Sequence, residues 1–404
     1  MTAATAPATT QSFNEKFYTS LFEVDNGERI RACLQCGTCS GVCPFGYLMG
    51  FPPGRMIAYL RAERFENVLN SDSVWMCVSC YACTALCPKE IPLTPGLMTR
   101  AKEELLLAGN VPTELQDALM NSQRYGNPLG ESPRKRADWT RGLDFEIPLL
   151  RQEKRAVDVL WFVSDYPSYH PRVQVTTRAM AKILQLLGID FGILGPEENS
   201  DGDSQRLAGE RGLFEMLAEK NGKTLARYDF NKIITSDPHA FNAFKNEYPK
   251  LGISYPVQHF VEFIADQIDE LKPHLKQVPE QRVTFHDPCY LGRANNVYDA
   301  PRTILAAVPG IELVEMPHNR ANSLCCGGGG GGMWLDGFQW EKAHVRLSEW
   351  RVQEAVSIKA DVLAVACPYE PPRFEDAAKM VEGAGRLAIK DIAEILADSI
   401  EADS

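Results

Sequence analysis

The chain has 404 residues, of which 45% are hydrophobic and 24% charged, a composition typical of a globular protein with two or three domains. The formal net charge of −11, without a basic stripe that carries interleaved aromatic residues, argues against a nucleic-acid-binding protein. The longest apolar stretches, Val157–Val163 and Val362–Cys367, are far shorter than a bilayer span.

The first twelve residues, MTAATAPATTQS, contain neither the charged region nor the apolar core of a secretory signal. We therefore expect residues 1–12 to be a disordered lead-in. The twin arginines that mark export of folded proteins are also missing near the start of the chain.

Residues 13–110 contain one cysteine motif twice, as CLQCGTCSGVCP from residue 33 and as CVSCYACTALCP from residue 77. This is the spacing of bacterial ferredoxins, in which the fourth cysteine of each run binds the other cluster. Structural zinc sites are the alternative, but zinc modules usually use two separated CxxC pairs. We therefore predict two [4Fe-4S] clusters, the first held by Cys33, Cys36, Cys39 and Cys87 and the second by Cys77, Cys80, Cys83 and Cys43.

Apolar residues at helical spacing predict a helix over Gly54–Leu69, between the two motifs. A second helix is predicted over Thr94–Leu107, with Thr94 as N-cap and Pro95 at the first helical position. Residues 13–110 are thus predicted to form a helical two-cluster ferredoxin-like domain.

Residues 111–154 are rich in Pro, Gly, Asn and Arg and show little periodicity, which predicts a linker or a wrapping arm. Within it, Arg134-Lys135-Arg136 is interpreted as a solvated basic surface. Docking of an acidic partner is the alternative.

From about residue 155 short apolar strands alternate with helical patterns, which predicts parallel sheets built from βαβ units. The pattern repeats, so we predict a duplicated α/β fold with repeats at 155–275 and 276–404. The predicted strands are Val157–Val163, Phe191–Leu194, Lys232–Thr235, Val283–His286, Ile311–Met316 and Val362–Ala366. The predicted helices are Thr176–Leu187, Ala208–Ala218, Ala300–Ala307 and Glu341–Ile358.

The other four cysteines, Cys289, Cys325, Cys326 and Cys367, all lie in the second repeat near the ends of predicted strands. Open α/β sheets place their sites at that edge, so these thiols are expected to meet. Six glycines, residues 327–332, follow the cysteine pair. We expect at least Gly327, Gly328 and Gly329 to contact a cofactor, since glycine permits close backbone approach; a flexible linker and a dinucleotide loop are the alternatives.

The segments HDPCYLGR, CCGGGGGGMW and CPYE resemble the cysteine-rich CCG domain of the heterodisulfide reductase family. The chain resembles a fusion of the small iron–sulfur subunit and the CCG subunit of that enzyme. It is also similar to iron–sulfur subunits of sulfate-reducer membrane complexes, of glycolate oxidase and of thiol-dependent fumarate reductase. The resemblance implies a third cluster, either a cubane or the family's non-cubane [4Fe-4S] centre that cleaves disulfides.

The chain departs from the family pattern at several positions. The last cysteine of the second repeat's CxxC is replaced by Glu370, which we expect to be available as a fifth ligand beside the four thiolates. His286 and Arg293 are expected to support the site, since they are close to Cys289 in sequence. In the first repeat no cysteine remains, and Asp165, Ser200, Asp237 and His239 stand at or near the expected positions, either in a scaffold half or lining a polar pocket that could bind a hard metal.

Three clusters on one chain without a nicotinamide, flavin or P-loop motif predict an electron-transfer subunit of a larger oxidoreductase. A catalytic thiol-disulfide reductase is the alternative, and a regulatory or scaffold protein is a third interpretation. The resemblance implies redox partners, either a flavoprotein or an electron-transferring flavoprotein, with a membrane cytochrome b type subunit as a further candidate. All cysteines fall in cluster-type arrangements, so we expect a cytoplasmic location, with association at the cytoplasmic face of the membrane through a partner left open.

Overall fold

The computed structural model describes residues 16–153 and 155–401. The predicted lead-in, residues 1–12, lies outside these residues. Among the described residues no helix is both long enough and apolar enough to cross a bilayer.

The N-terminal part is helical, as predicted, and its core is built from the apolar faces of short helices. The helical segments are residues 16–22, Gly27–Ala32, Thr38–Gly41, Pro53–Arg61, Phe65–Leu69, Ser73–Met76, Ala82–Ala85, a π-helical turn Leu93–Leu97, and Met98–Leu107. The predicted helix over 54–69 is interrupted near Glu63, whose φ is +54°. Its apolar positions are nevertheless buried, because both pieces pack on the same core.

The two cysteine motifs adopt the same backbone conformation. Gln35 and Ser79 have φ of 54° and 50°, and Gly37 and Tyr81 have φ of 83° and 66°. Left-handed residues in such a loop turn successive amide groups toward one side, which suits an anionic ligand. Each loop then enters a one-turn helix, Thr38–Gly41 or Ala82–Ala85.

Residues 111–153 contain more structure than their sequence indicates. They form the helix Thr113–Tyr125, the turns Pro133–Lys135 and Asp138–Thr140, and the helix Leu150–Glu153. Trp139 is fully buried, with its ring centroid 5.3 Å from that of Trp161. The segment therefore packs on the α/β part and contributes to its core.

The α/β part contains two four-stranded parallel sheets, which confirms the predicted fold class. The strands are β1 (Val157–Trp161), β2 (Phe191–Ile193), β3 (Phe230–Thr235), β4 (Val257–His259), β5 (Gln281–Phe285), β6 (Ile311–Leu313), β7 (Val362–Val365) and β8 (Ala388–Asp391). The strand orders, β2-β1-β3-β4 and β6-β5-β7-β8, are equivalent. The sequence did not predict β4 and β8, which end each sheet.

Helices cover both sheets. They are Asp165–Tyr169, Pro171–Leu186, Asp203–Leu207, Arg211–Leu225, Pro238–Asn242, Phe260–Asp266, Ile268–Leu271, Asp299–Ala307, Asp336–Ala343, Leu347–Ser357, Glu370–Met380 and Ile392–Glu401. The predicted helix over 341–358 is broken at His344, whose φ is +52°.

The two repeats pack against each other with approximate twofold symmetry. The long helix after β1, Pro171–Leu186, packs on the helix after β8, Ile392–Glu401. Reciprocally, the helix after β4, Phe260–Asp266, packs on the helix after β5, Asp299–Ala307. One continuous core therefore includes apolar residues from both sheets.

Candidate iron–sulfur sites

The first group of thiols lies at the surface of the N-terminal part. Cys33, Cys36, Cys39 and Cys87 line one cavity, although Cys87 is distant in sequence. Burial and the nearby sulfurs of Cys33 and Cys87 raise the pKa of Cys39. Cys36 is exposed, and the neighbouring Leu34 is 63% exposed.

The second group lies deeper. Cys43, Cys77, Cys80 and Cys83 line a largely apolar cavity, and burial together with the other three sulfurs raises the pKa of Cys43. The fourth cysteine of each motif thus lies beside the three cysteines of the other motif. That these two sets bind clusters remains a prediction.

Thr94 belongs to this second cavity and not to a helix cap. Its backbone is extended, with φ of −130° and ψ of 130°, and the helix begins only at Met98. Its hydroxyl lies 3.8 Å from the sulfurs of both Cys77 and Cys83. The predicted N-cap role of Thr94 is therefore wrong. Its sequence pattern is that of a helix start, but the residue lines the second thiol cavity.

The third group forms where strands of the second sheet end. Cys289 follows β5, Cys325 and Cys326 follow β6, and Cys367 follows β7, and all four line one cavity with Glu370. This is the edge at which parallel sheets bring loops from separate strands together. The backbone N–H groups of Gly327 and Gly328 donate to the Cys325 and Cys326 sulfurs, at 3.2 and 3.4 Å.

Glu370 is fully buried in this cavity beside His286. Arg351 Nε donates to His286 Nδ1 at 2.9 Å, which places the imidazole proton on Nε2, and Nε2 lies 3.1 Å from Glu370 Oε1. Glu370 Oε2 has no hydrogen-bond partner among the described residues. Burial raises the pKa of Glu370 to about 7, while His286 opposes that rise. One ligand atom from each of His286, Cys326 and Glu370 lies within 4.8 Å of the others, a spacing that would suit a metal ion once Nε2 of His286 gives up its proton.

The six-glycine segment also packs against the second thiol site. A Cβ on Gly329 would lie 2.8 Å from the Val78 carbonyl oxygen, and one on Gly330 would lie 2.4 Å from Ser79 Oγ. The glycines therefore allow two cysteine-bearing loops to approach each other, in addition to the amide contacts of Gly327 and Gly328.

The first repeat holds carboxylates and a hydroxyl where the second holds thiols. Trp161 pairs with Ile234 in the first sheet and Phe285 with Ala364 in the second, so Asp165 corresponds to Cys289 and Asp237 to Cys367. Gly202 and Gly327 have φ of 83° and 85°, and the residues before them, Ser200-Asp201 and Cys325-Cys326, correspond in turn. Sequence reasoning had identified Asp165, Ser200 and Asp237 but had missed Asp201.

Arg136 occupies this first-repeat site. Its guanidinium donates to Asp165 Oδ1 at 2.6 Å and to Glu198 Oε1 at 2.8 Å, and all three side chains are buried. The interpretation of Arg134-Lys135-Arg136 as a solvated surface is therefore wrong for Arg136. The acidic partners that bury it are far along the chain and gave no local signal.

His239 belongs to the first repeat but lines the third thiol cavity. Asp203 Oδ2 lies 2.9 Å from its Nδ1; burial alone would lower the pKa of His239, but Asp203 raises it to about 9. The rings of Tyr290 and Tyr369 lie beside its ring in tilted orientations, with centroids 4.5 and 5.5 Å away. The repeat without thiols thus contributes a side chain to the cavity of the other.

The donor sets fit iron–sulfur clusters. None of the twelve cysteines forms a disulfide, and they converge in three groups of four. Four thiolates gathered in a low-dielectric cavity repel one another, and bound iron removes that repulsion. Amide donors to sulfur, as at Gly327 and Gly328, are a further feature that tunes such clusters.

Comparison with known families gives two matches in agreement with this arrangement. Residues 29–91 match the 4Fe-4S dicluster domain, and residues 283–369 match the cysteine-rich domain called CCG. Iron–sulfur clusters therefore belong to both regions of the chain.

Curated relatives cover most of the chain. It is 35% identical to the probable iron-sulfur-binding oxidoreductase FadF of Bacillus subtilis over 83% of this chain and 47% of that protein. It is 32% identical to the EtfAB:quinone oxidoreductase of Syntrophomonas wolfei, over 83% of this chain and 48% of that protein. The chain thus spans about half the length of these two relatives.

A third relative matches along nearly its whole length. It is one of the subunits of the dihydromethanophenazine:CoB–CoM heterodisulfide reductase of Methanosarcina barkeri, and it is 28% identical over 91% of this chain and 93% of its own length. The chain therefore has a 4Fe-4S dicluster domain followed by a CCG domain, and over most of its length it is similar to this heterodisulfide reductase subunit.

Proposed function

We propose that the chain is the electron-transferring iron–sulfur subunit of a multi-subunit oxidoreductase, with three clusters on the cysteine sets described above. The observation that carries this proposal is the succession of the three thiol groups. The first and second groups exchange their fourth cysteines, Cys87 and Cys43, and Val78 of the second motif lines both the second cavity and the third. A bound iron–sulfur cluster takes up and releases one electron at a time.

The protein residues give the three sites different surroundings. Cys36 and Leu34 expose the first site to a partner, whereas Cys325, Cys326 and Cys367 are buried. At the third site Glu370 supplies a carboxylate in place of a fifth thiolate. Four thiolates suffice for a cubane, so we propose that Cys289, Cys325, Cys326 and Cys367 are the ligands and that Glu370 completes or adjoins the cluster.

The partners proposed are redox subunits. The name of the Syntrophomonas relative pairs an electron-transferring flavoprotein with a quinone, which supports a flavoprotein as one partner of this chain. A cytochrome b type membrane subunit would then place the chain peripherally at the cytoplasmic face of the membrane.

A catalytic thiol-disulfide reductase is the second candidate, and it is favoured by the buried Glu370 oxygen that has no hydrogen-bond partner among the residues described. A carboxylate is a harder ligand than a thiolate, so an incoming sulfur could replace it on the iron of a cluster. Its cavity, however, is enclosed by side chains from both repeats.

The test is to load the protein with iron and sulfide without oxygen and to record electron paramagnetic resonance (EPR) spectra with and without thiols. We expect about 12 iron atoms per chain, reduction by a reduced electron-transferring flavoprotein, and spectra that thiols do not change. Cys326→Ser should alter only the third signal. A paramagnetic oxidised signal that a thiol perturbs, and that Cys326→Ser abolishes, would instead establish the reductase; zinc in place of iron would refute both.

A further inference from the structure

Two buried cations differ from every other buried cation that the structure describes. Lys102 is fully buried and Arg293 is 8% exposed, yet neither has a carboxylate within ion-pair distance among the described residues. The other buried guanidinium groups all have such a partner: Arg136 with Asp165, Arg302 with Asp287, Arg351 with Glu354 and Arg373 with Asp336.

Both cations bridge the second and third thiol sites. Lys102 Nζ donates to the Cys77 carbonyl oxygen at 2.7 Å and to the Gly330 carbonyl oxygen at 2.7 Å. Arg293 Nε donates to the Cys80 carbonyl oxygen at 2.8 Å, and its Nη2 donates to Cys289 Sγ at 2.9 Å. Each therefore joins the Cys77–Cys80 loop of the second site to a loop of the third.

A buried ammonium or guanidinium without an anion is strongly unfavourable, and carbonyl dipoles offset only part of the lost hydration. The negative charge available to these cations is that of cysteine sulfur: Arg293 contacts Cys289 Sγ directly, and both cations bind the loop that carries Cys77 and Cys80. Clusters held by four thiolates carry net negative charge, so the cations and the clusters can neutralise each other.

We propose that Lys102 and Arg293 are counter-charges shared by the second and third clusters, which hold the two sites together and raise the reduction potentials of both. They are positioning residues, since they act through the cysteine loops. The inference rests on the proposed occupancy of the sites by clusters. It does not depend on the identity of any partner.

The experiment compares Lys102→Met and Lys102→Arg in anaerobically loaded full-length protein. Dithionite is the reductant, and EPR follows each cluster against electrode potential. Lys102→Met removes the charge and should move the midpoints of the second and third clusters to more negative potentials, while that of the first stays in place. Lys102→Arg keeps the charge and should restore at least half of the shift.

Arg100→Met is the matched control, because Arg100 lies on the same helix but pairs with Glu103 at 2.6 Å and contacts neither loop. It should leave all midpoints unchanged. Equal midpoints in Lys102→Met and wild type, or an equal shift in Arg100→Met, would overturn the inference. Since dithionite replaces any partner, failure of the proposed electron-transfer role would leave this result intact.

Loss of iron gives a second measurement if Lys102→Met does not hold its clusters. We then expect iron to be lost from the second and third sites while the first EPR signal remains, and Lys102→Arg to retain more iron. For Arg293, Arg293→Lys should keep midpoints closer to wild type than Arg293→Met does. Uniform loss from all sites in both Lys102 variants, or identical midpoints in both Arg293 variants, would refute the shared-charge role.

Discussion

Arg136 fills the position in the first repeat where the second repeat gathers thiols. Its charge compensates Asp165 and Glu198, and Glu198 Oε2 and Oε1 also accept backbone N–H groups from Val163 and Ser164. Arg136, which comes from residues 111–153, thus joins Asp165 and Glu198 at the position where the second repeat gathers its thiols.

Replacing Arg136 should lower the free energy of unfolding. Arg136→Met leaves two buried carboxylates uncompensated, and the expected loss of stability is about 3–5 kcal/mol. Calorimetry of the loaded protein should show a lower unfolding temperature. Arg134→Met is the control, because Arg134 is exposed and should change stability by less than about 0.5 kcal/mol.

The loss should depend on pH. Burial raises the pKa of Glu198 to about 7, so its protonated form is favoured in the folded state. Protonation of Glu198 therefore stabilises the folded state fully at pH values below the pKa of this residue in the unfolded chain. The stabilisation is lost as the pH rises through about 7. The Arg136→Met variant should therefore be closer to wild type at pH 5 than at pH 8. An equal or larger deficit at pH 5 would contradict this account of the ion pair.

Residues of this kind show what sequence reasoning can and cannot find. Asp165 and Asp237 were recognisable because they stand at fixed distances from strand ends. Arg136 and Lys102 were not, because each one acts on groups that only the fold brings near, and the same holds for the place of His239 in the cavity of the other repeat. Thr94 was misread because Thr-Pro before an apolar run is a frequent helix start.

At the scale of elements, strand positions were predictable because buried parallel strands are short apolar runs between helices. The final strands β4 and β8 were missed, since each has only three or four residues and passes directly into a helix. The six glycines carried an ambiguous pattern, and only the packing of Gly329 and Gly330 on Val78 and Ser79 distinguishes a contact loop from a flexible linker.

The close approach of Gly330 to Ser79 predicts that one added methyl group at Gly330 lowers the stability of the protein. Gly330 has φ of +59°, and its substituted Cβ would collide with Ser79 Oγ, so Gly330→Ala should destabilise the loaded protein by about 1–3 kcal/mol. It should also weaken the magnetic interaction between the second and third clusters in EPR spectra. Gly385→Ala is the control, since a Cβ there meets open space. Similar unfolding temperatures for the two variants would show that the glycines do not form a tight contact.

At the scale of the molecule, the three sites run from an exposed edge to a buried interior. The two repeats of the α/β part are related by an approximate twofold axis, but their site residues differ. One repeat holds thiols and the other holds Arg136 with carboxylates. A partner can therefore approach the first site directly but not the third. The side chain next to the first site, Leu34, offers it an apolar contact flanked by the exposed sulfur of Cys36.

Leu34→Glu should slow reduction of the chain by a reduced electron-transferring flavoprotein about tenfold, in stopped-flow measurements at a fixed salt concentration. The reason is that a charged side chain in a small apolar contact must be desolvated when the partner docks, a penalty of about 1–2 kcal/mol. Leu107→Glu makes the same change at a side chain that is 78% exposed and lies at the end of the helix Met98–Leu107, away from the cysteines, and it should leave the rate unchanged. Both variants should be reduced by dithionite at the wild-type rate. If Leu34→Glu were as fast as Leu107→Glu with the flavoprotein, electrons would have to reach the chain at a surface other than the first site, and the proposed order of the three clusters would be wrong.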